Sequence, residues 1–184
     1  MKTLFVCLAA LTLPLSLSAQ DAKQDKAKAN LSRQDARHLR DMGEADMAEV
    51  ETGKLAAQKA SSPEVKKFAQ QMVDEHGKGL SEGEALARSK GMQPPSAPSK
   101  KHQSAMKKLE SMSGEEFDQA YMQQMVKDHE DTLKKLRAAA KDAKDPEVKA
   151  AATKKEPIVS QHLEMARSLS KGDAAAGGGK STAK

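Results

Sequence analysis

The sequence is poor in aromatic residues and almost free of cysteine. Its 184 residues include no Trp, one Tyr and three Phe, and Cys7 is the sole cysteine. Strands favour aromatic and β-branched side chains, whereas the abundant Ala, Met, Leu, Lys and Glu favour helices. So few aromatic rings also leave little surface on which nucleic-acid bases could stack. The composition therefore predicts an all-α protein and argues against a nucleic-acid partner.

Residues 1–19 have the features of a secretory signal. Lys2 is followed by an apolar run that is too short to span a bilayer and that ends in the small residues Ser18 and Ala19. Cys7 lies within this run and lacks the flanking pattern of a lipoprotein signal, so the mature chain is expected to contain no disulfide and no reactive thiol. We expect an exported protein, either periplasmic or secreted, with no transmembrane span after cleavage. Association with the outer membrane is left open.

Charge and composition set the limits of the folded domain. The chain has a net charge of +5, with basic residues scattered among acidic ones, which predicts at most a weak association with anionic envelope surfaces. Residues 20–31 are predicted to form a flexible N-terminal segment, and residues 171–184 a disordered tail rich in Gly, Ala and Lys. The remaining residues, 32–170, are predicted to form one domain. Nothing in them indicates an oligomeric state.

Capping signals divide residues 32–170 into helices. Ser32 stands before the first helical pattern, and the related segments "SSPEVKK" and "KDPEVKA" each place a capping residue before a proline at the first helical position. Ser113 precedes Glu116 by three residues, which is the spacing of a capping box. These signals predict four long helices. Pro157 predicts a kink or an interruption in the last of them.

The two related segments also define an internal repeat. When the chain is aligned on them, Met42 matches Met125 and Asp46 matches His129. A stretch rich in Gly and Pro at residues 91–99, followed by a short helical pattern, joins the two halves. We therefore predict an antiparallel four-helix bundle built from two helical hairpins, with a short extra helix in the crossover.

Acids and histidines interrupt the apolar faces of the predicted helices. A helical wheel, at about 100° per residue, places at least one of them on the inward face of each long helix. These candidate metal-binding residues are Asp46, Glu49, His76, Asp128, His129 and His162. A buried carboxylate is costly unless it is paired or binds a metal, and imidazoles and carboxylates on facing helices can bind Fe, Mn, Zn or Cu. The same residues could instead form a private network of His–acid pairs without a metal.

Three blocks of the sequence resemble one family of exported bacterial proteins. They are "GEADMAEVETGKLAAQKASSPEVKKFAQQMVDEH", "SGEEFDQAYMQQMVKDHEDTLKKL" and "DPEVKAAATKKEPIVSQHLEMA". In order and spacing they resemble the domain of unknown function 4142 family over residues 32–170. The resemblance implies a ferritin-like four-helix bundle after a signal peptide, and it brings no established activity. The positions that it implies as recurring in the family pattern are Glu49, His76, Asp128, His129 and His162.

A standard ferritin iron centre is not predicted, because the Glu-x-x-His motif is missing. The residue three positions before each of His76, His129 and His162 is a valine. Nucleophilic hydrolysis is not predicted either, since the mature chain should lack a thiol and no Gly-rich phosphate loop is found. Two hypotheses remain. One is an exported metal-binding protein with an envelope or stress-related role, and the other is a non-enzymatic interaction or structural protein of the envelope with a metal-free polar core.

Overall fold

The computed structural model describes residues 31–176, and helices cover 85% of them. The five helices are α1 (Arg33–Lys59), α2 (Pro63–Ser89), α3 (Lys100–Glu110), α4 (Gly114–Asp142) and α5 (Pro146–Ala176). No strand occurs among the described residues, which confirms the all-α prediction. The predicted signal and nearly all of the predicted N-terminal segment lie outside the described residues. At the other end, α5 continues beyond residue 171, where the tail was predicted to begin.

Most of the predicted helix starts are confirmed. The side chains of Ser32 and Ser62 accept hydrogen bonds from first-turn amides of α1 and α2. At the start of α5, Asp145 Oδ1 accepts hydrogen bonds from the amides of Glu147 and Val148. Local sequence therefore predicts where these three helices begin.

Two local predictions differ from the structure. Ser113 precedes α4 but makes no side-chain cap bond. Gly114 adopts a left-handed φ of 61°, and the resulting sharp turn keeps Ser113 away from the first-turn amides. Pro157 does not interrupt α5, which continues through it. Because Pro157 is exposed, the carbonyl that loses its amide donor lies on the solvent side of the helix.

The two predicted hairpins form the bundle. Helix α1 packs against α2 and α4 packs against α5, while contacts of α1 with α4 and of α2 with α5 join the hairpins. The short α3 contacts α1 and α4. One part of the apolar core surrounds Phe117 and Tyr121, and a second part surrounds Leu136 and Val148. The polar inward-facing residues lie between these two parts, at mid-length of the long helices.

Each hairpin turn is closed by an acid from the other hairpin. Buried Asp118 of α4 accepts hydrogen bonds from the amides of residues 61–62, at 3.0 and 2.7 Å. Buried Asp35 of α1 accepts hydrogen bonds from the amides of residues 144–145, at 2.9 and 3.3 Å. The two acids occupy equivalent positions in the internal repeat, which therefore extends to the contacts between the hairpins.

Removing one of these acids should destabilise the bundle. Asp118→Ala leaves the amides at the start of α2 without their charged acceptor, so we expect the free energy of unfolding to fall by about 2–3 kcal/mol. Urea denaturation measures this loss. The control is Asp142→Ala, which removes an exposed acid at the end of the same helix and should change the free energy by less than about 0.5 kcal/mol. Equal unfolding midpoints for the two variants would contradict the role given to Asp118.

Candidate metal centre

Three histidines from three helices meet in the polar part of the core. His76 lies on α2, His129 on α4 and His162 on α5, and their exposed fractions are 5%, 1% and 1%. The ring centroids are 5.1–5.6 Å apart. One ring nitrogen from each histidine lies within 4.8 Å of those from the other two. This spacing is close to the spacing of nitrogen ligands around one ion.

Each imidazole also binds an oxygen atom through its other nitrogen. His76 Nδ1 lies 3.0 Å from Asp46 Oδ1, and His162 Nε2 lies 3.0 Å from Glu75 Oε2. His129 Nδ1 lies 2.8 Å from the carbonyl oxygen of Met125, which can only accept a hydrogen bond. With the oxygens as acceptors, each of these three nitrogens carries a proton. Such outer hydrogen bonds fix the tautomer and orientation of histidines that bind metals.

The remaining three nitrogens then present lone pairs to one another. His76 Nε2 and His162 Nδ1 are 3.2 Å apart, and two lone pairs at that distance repel unless a proton or a cation lies between them. His129 Nε2 is buried without a hydrogen-bond partner. An unpaired buried nitrogen is costly, so all three nitrogens have a use for a bound cation.

A proton on His129 or His162 is poorly suited to fill this place. Burial, together with the neighbouring His76 and His162, lowers the pKa of His129 to about 3. Burial and the nearby His76 also lower the pKa of His162. His129 and His162 are therefore neutral at pH 7, which is the form that binds a metal.

The three candidate carboxylates lie beside the histidine cluster and not within it. Asp46 accepts hydrogen bonds from both His76 and Lys155, so it orients one imidazole. Glu49 Oε1 is 3.7 Å from His129 Nδ1, and Glu49 Oε2 is buried without a partner. Burial, with the nearby acids Asp128 and Asp46, raises the pKa of Glu49 well above its ordinary value.

Asp128, the third candidate carboxylate, faces a different neighbour. Its Oδ2 accepts a hydrogen bond from Gln124 at 2.6 Å, and its Oδ1 lies 3.9 Å from His102 Nε2. Asp46 and Glu49 therefore border the imidazoles, whereas Asp128 faces Gln124 and His102.

Two residues of the site were missed by the sequence reasoning. Glu75 of α2, the residue before His76, binds His162, and Lys155 of α5 binds Asp46. Lys155 precedes His162 by seven residues, or two helical turns, so both side chains fall on the same face of α5. This seven-residue spacing was the sequence signal that could have placed Lys155 at the site. A lysine on a partly apolar face is usually solvated, and only the tertiary contact with Asp46 distinguishes this one.

One segment matches a hydrolase motif in sequence but not in structure. Residues 79–83 read Gly-Leu-Ser-Glu-Gly, which fits the Gly-x-Ser-x-Gly pattern. In hydrolases that serine stands on a sharp turn between a strand and a helix. Here Ser81 lies inside α2, is exposed, and donates its hydroxyl proton to the carbonyl oxygen of Gly77. The segment therefore has no geometry for nucleophilic catalysis.

Fold and site together define a ferritin-like helical bundle with a cluster of three buried histidines. The model of the family described as "Domain of unknown function (DUF4142)" matches residues 20–169. The chain belongs to this family, as its three sequence blocks indicated. No curated protein matches the chain in sequence.

Solved structures of low sequence identity share the fold. A DUF305 fragment from Deinococcus radiodurans has a TM-score of 0.69 at 13% identity, and the alignment covers 77% of this chain and 97% of that one. A putative secreted DUF305 protein from Streptomyces coelicolor has a TM-score of 0.66 at 16% identity, with 77% and 94% covered. CopM in its Cu(II)-bound form has a TM-score of 0.64 at 16% identity, with 75% and 96% covered. Within the described residues, no helix is long and apolar enough to cross a membrane.

Proposed function

We propose that this protein is an exported metal-binding protein that holds one transition metal ion, copper before others, on His76, His129 and His162. The observation that carries the proposal is the convergence of three buried imidazoles, one of which keeps its inner nitrogen, His129 Nε2, without a hydrogen-bond partner. All three outer nitrogens are bonded to oxygen atoms, and the three inner nitrogens are left facing one another. A private polar network would be expected to pair His129 Nε2 as well, yet this nitrogen is buried without a partner.

The spacing of the nitrogens suits a single ion. Metal–imidazole bonds are about 2.0–2.1 Å long, so two nitrogens on one tetrahedral ion lie about 3.4 Å apart. His76 Nε2 and His162 Nδ1, at 3.2 Å, already meet this distance. A nitrogen of His129 lies within 4.8 Å of those of the other two histidines, so a modest movement of its side chain would complete the set. The protein therefore supplies a nearly preformed site.

The donor set favours copper or zinc over iron or manganese. Three neutral imidazoles without a thiolate suit copper and zinc, and for a given nitrogen site copper(II) binds most tightly of the divalent first-row ions. Iron and manganese sites in bundles use more carboxylates, and here Asp46, Glu49 and Asp128 lie outside the cluster. The shared fold with CopM, described in a Cu(II)-bound form, supports testing copper first.

The role that fits this site is binding and not catalysis. The signal-like residues 1–19 support a location in the periplasm or outside the cell, where a bundle of this kind would hold the ion in a buried position during envelope or metal stress. The alternative function is that of an envelope interaction protein, in which the histidines only fix how the helices align along the bundle. The unpaired His129 Nε2 counts against that alternative.

Metal analysis tests the proposal directly. Protein purified without a polyhistidine tag, stripped with chelator and reloaded with copper(II), should retain about one ion per chain after desalting, as one cluster predicts. Electron paramagnetic resonance of the loaded protein should show coupling of the copper to several nitrogen nuclei. Elemental analysis that finds no retained copper or zinc, or a copper spectrum without nitrogen coupling, would rule out the histidine site.

A further inference from the structure

A groove runs from the surface of the bundle to the histidine cluster. It has a volume of about 320 Å³ and lies between α1, α2 and α5. Its lining includes both His76 and His162, and its rim includes Ile158, the one large apolar side chain that is exposed among the described residues. A cavity of this size is within the range of small-molecule sites. The groove is therefore large enough for a ligand and not only for water.

The two ends of the groove differ in polarity. Its lining follows α2 over residues 75–86, a distance of about 16 Å at the rise of an α-helix. The polar end is formed by Glu75, His76, Asp46 and His162, next to the proposed metal. The other end is apolar and is formed by Leu39, Leu86 and Ala151. An elongated molecule with one polar end matches this gradient.

The charges along the groove favour an anion once the ion is bound. Three lysines, Lys78, Lys154 and Lys155, face three acids, Asp46, Glu75 and Glu82. These charges balance, since Lys155 is paired with Asp46 and Lys154 with Glu82. A metal ion on neutral imidazoles adds positive charge at the polar end, so the lining as a whole becomes positive. A negatively charged head group is then attracted to that end.

Two glycines keep the groove open. A Cβ atom at Gly79 would lie 2.6 Å from Lys155 Nζ and 3.3 Å from the Asp46 carboxylate. A Cβ atom at Gly83 would meet nothing within 4 Å, because the position borders open space in the groove. Glycine is a much poorer helix former than alanine. The two glycines that leave space beside α2 therefore also make this helix less stable.

We infer that this groove binds an amphiphile with a carboxylate head and a linear alkyl chain of medium length. The head lies at the His76 and His162 end, and the chain lies between Leu39 and Leu86. The preference for the negative head rests on the proposed metal function, whereas the fit of the chain rests on the groove alone.

Binding of octanoate, with octanol as its neutral analogue, tests this inference. By isothermal titration calorimetry on the copper-loaded protein, octanoate should bind at least about tenfold more tightly than octanol, because only octanoate has a charged head to meet the ion. On protein stripped with chelator this advantage should shrink severalfold, since the lining is then balanced. Octanoate and octanol binding with equal affinity to the loaded protein would overturn the choice of an anionic head.

A pair of glycine variants tests the location. Gly83→Leu fills open space without a clash and should weaken octanoate binding by about tenfold or more, while copper stoichiometry stays unchanged. The matched control is Gly172→Leu, at an exposed position of α5 with nothing within 4 Å, which should leave octanoate affinity as in the wild type. Wild-type affinity in Gly83→Leu would overturn the inference while leaving the metal site intact. If the protein retains no metal, octanol affinity can still be compared between the wild type and Gly83→Leu. Weaker octanol binding in the variant supports the groove, and equal octanol binding overturns it.

Discussion

His129→Ala is expected to abolish copper binding. The substitution removes one nitrogen of three, and loss of a direct ligand should weaken the affinity by more than the roughly 10–100-fold that is typical for loss of a supporting hydrogen bond. His129 is the appropriate choice because its inner nitrogen has no other partner, and its outer nitrogen bonds only to the Met125 carbonyl oxygen of its own helix. Competition with a chromogenic chelator of known copper affinity gives the dissociation constants of the wild type and the variant.

A histidine outside the cluster provides the control for this variant. His38 lies on α1, away from the three imidazoles, and His38→Ala should bind copper as tightly as the wild type. Circular dichroism of both variants shows whether the bundle is intact. A folded His129→Ala protein with wild-type copper affinity would contradict the metal site, because copper would then have to bind elsewhere.

A bound ion should also raise the stability of the bundle substantially. When free ion stands at one hundred times its dissociation constant, the free energy of unfolding should rise by about 2.7 kcal/mol, provided that the unfolded chain does not bind the ion. For a domain of this size, that gain corresponds to a rise of roughly 5–10 °C in melting temperature. The measurement is a thermal melt followed by circular dichroism, with chelator and then with copper or zinc.

The His129→Ala variant separates this effect from nonspecific binding. Its melting temperature should not respond to the ion, whereas a general salt effect would shift the wild type and the variant equally. A wild-type melting temperature that is the same with chelator, copper and zinc would favour the private polar network.

The fold was predictable because its signals are local. Ser32, Ser62 and Asp145 fix helix starts through hydrogen bonds within one turn, and the repeat of the "PEVK" segments indicates two hairpins. Helical periodicity also places His76 and His129 on inward faces, since the angle around a helix depends only on position in the chain. These features need no knowledge of the other helices.

The composition of the cluster could not be read in the same way. Periodicity gives the angle of a side chain around its helix, but which inward residues meet depends on how far each helix is displaced along the bundle axis. That displacement places Glu49 beside the outer nitrogen of His129 and Asp128 beside His102, so neither acid joins the inner nitrogens. Contacts such as Lys155 with Asp46 arise only when α5 docks on α1. Such side-chain contacts depend on how the helices pack against one another, which the sequence of a single helix does not show.

The exchange of capping acids would make folding and the proposed ion binding interdependent. The contacts within each hairpin are mostly local, which favours their early formation, but each turn lacks an acceptor until Asp35 or Asp118 arrives from the other half. His76 belongs to the first hairpin, and His129 and His162 belong to the second. Docking therefore completes both turns and the three-nitrogen cluster in one event. An isolated hairpin would contain at most two of the nitrogens, so tight ion binding would report that the two halves have assembled.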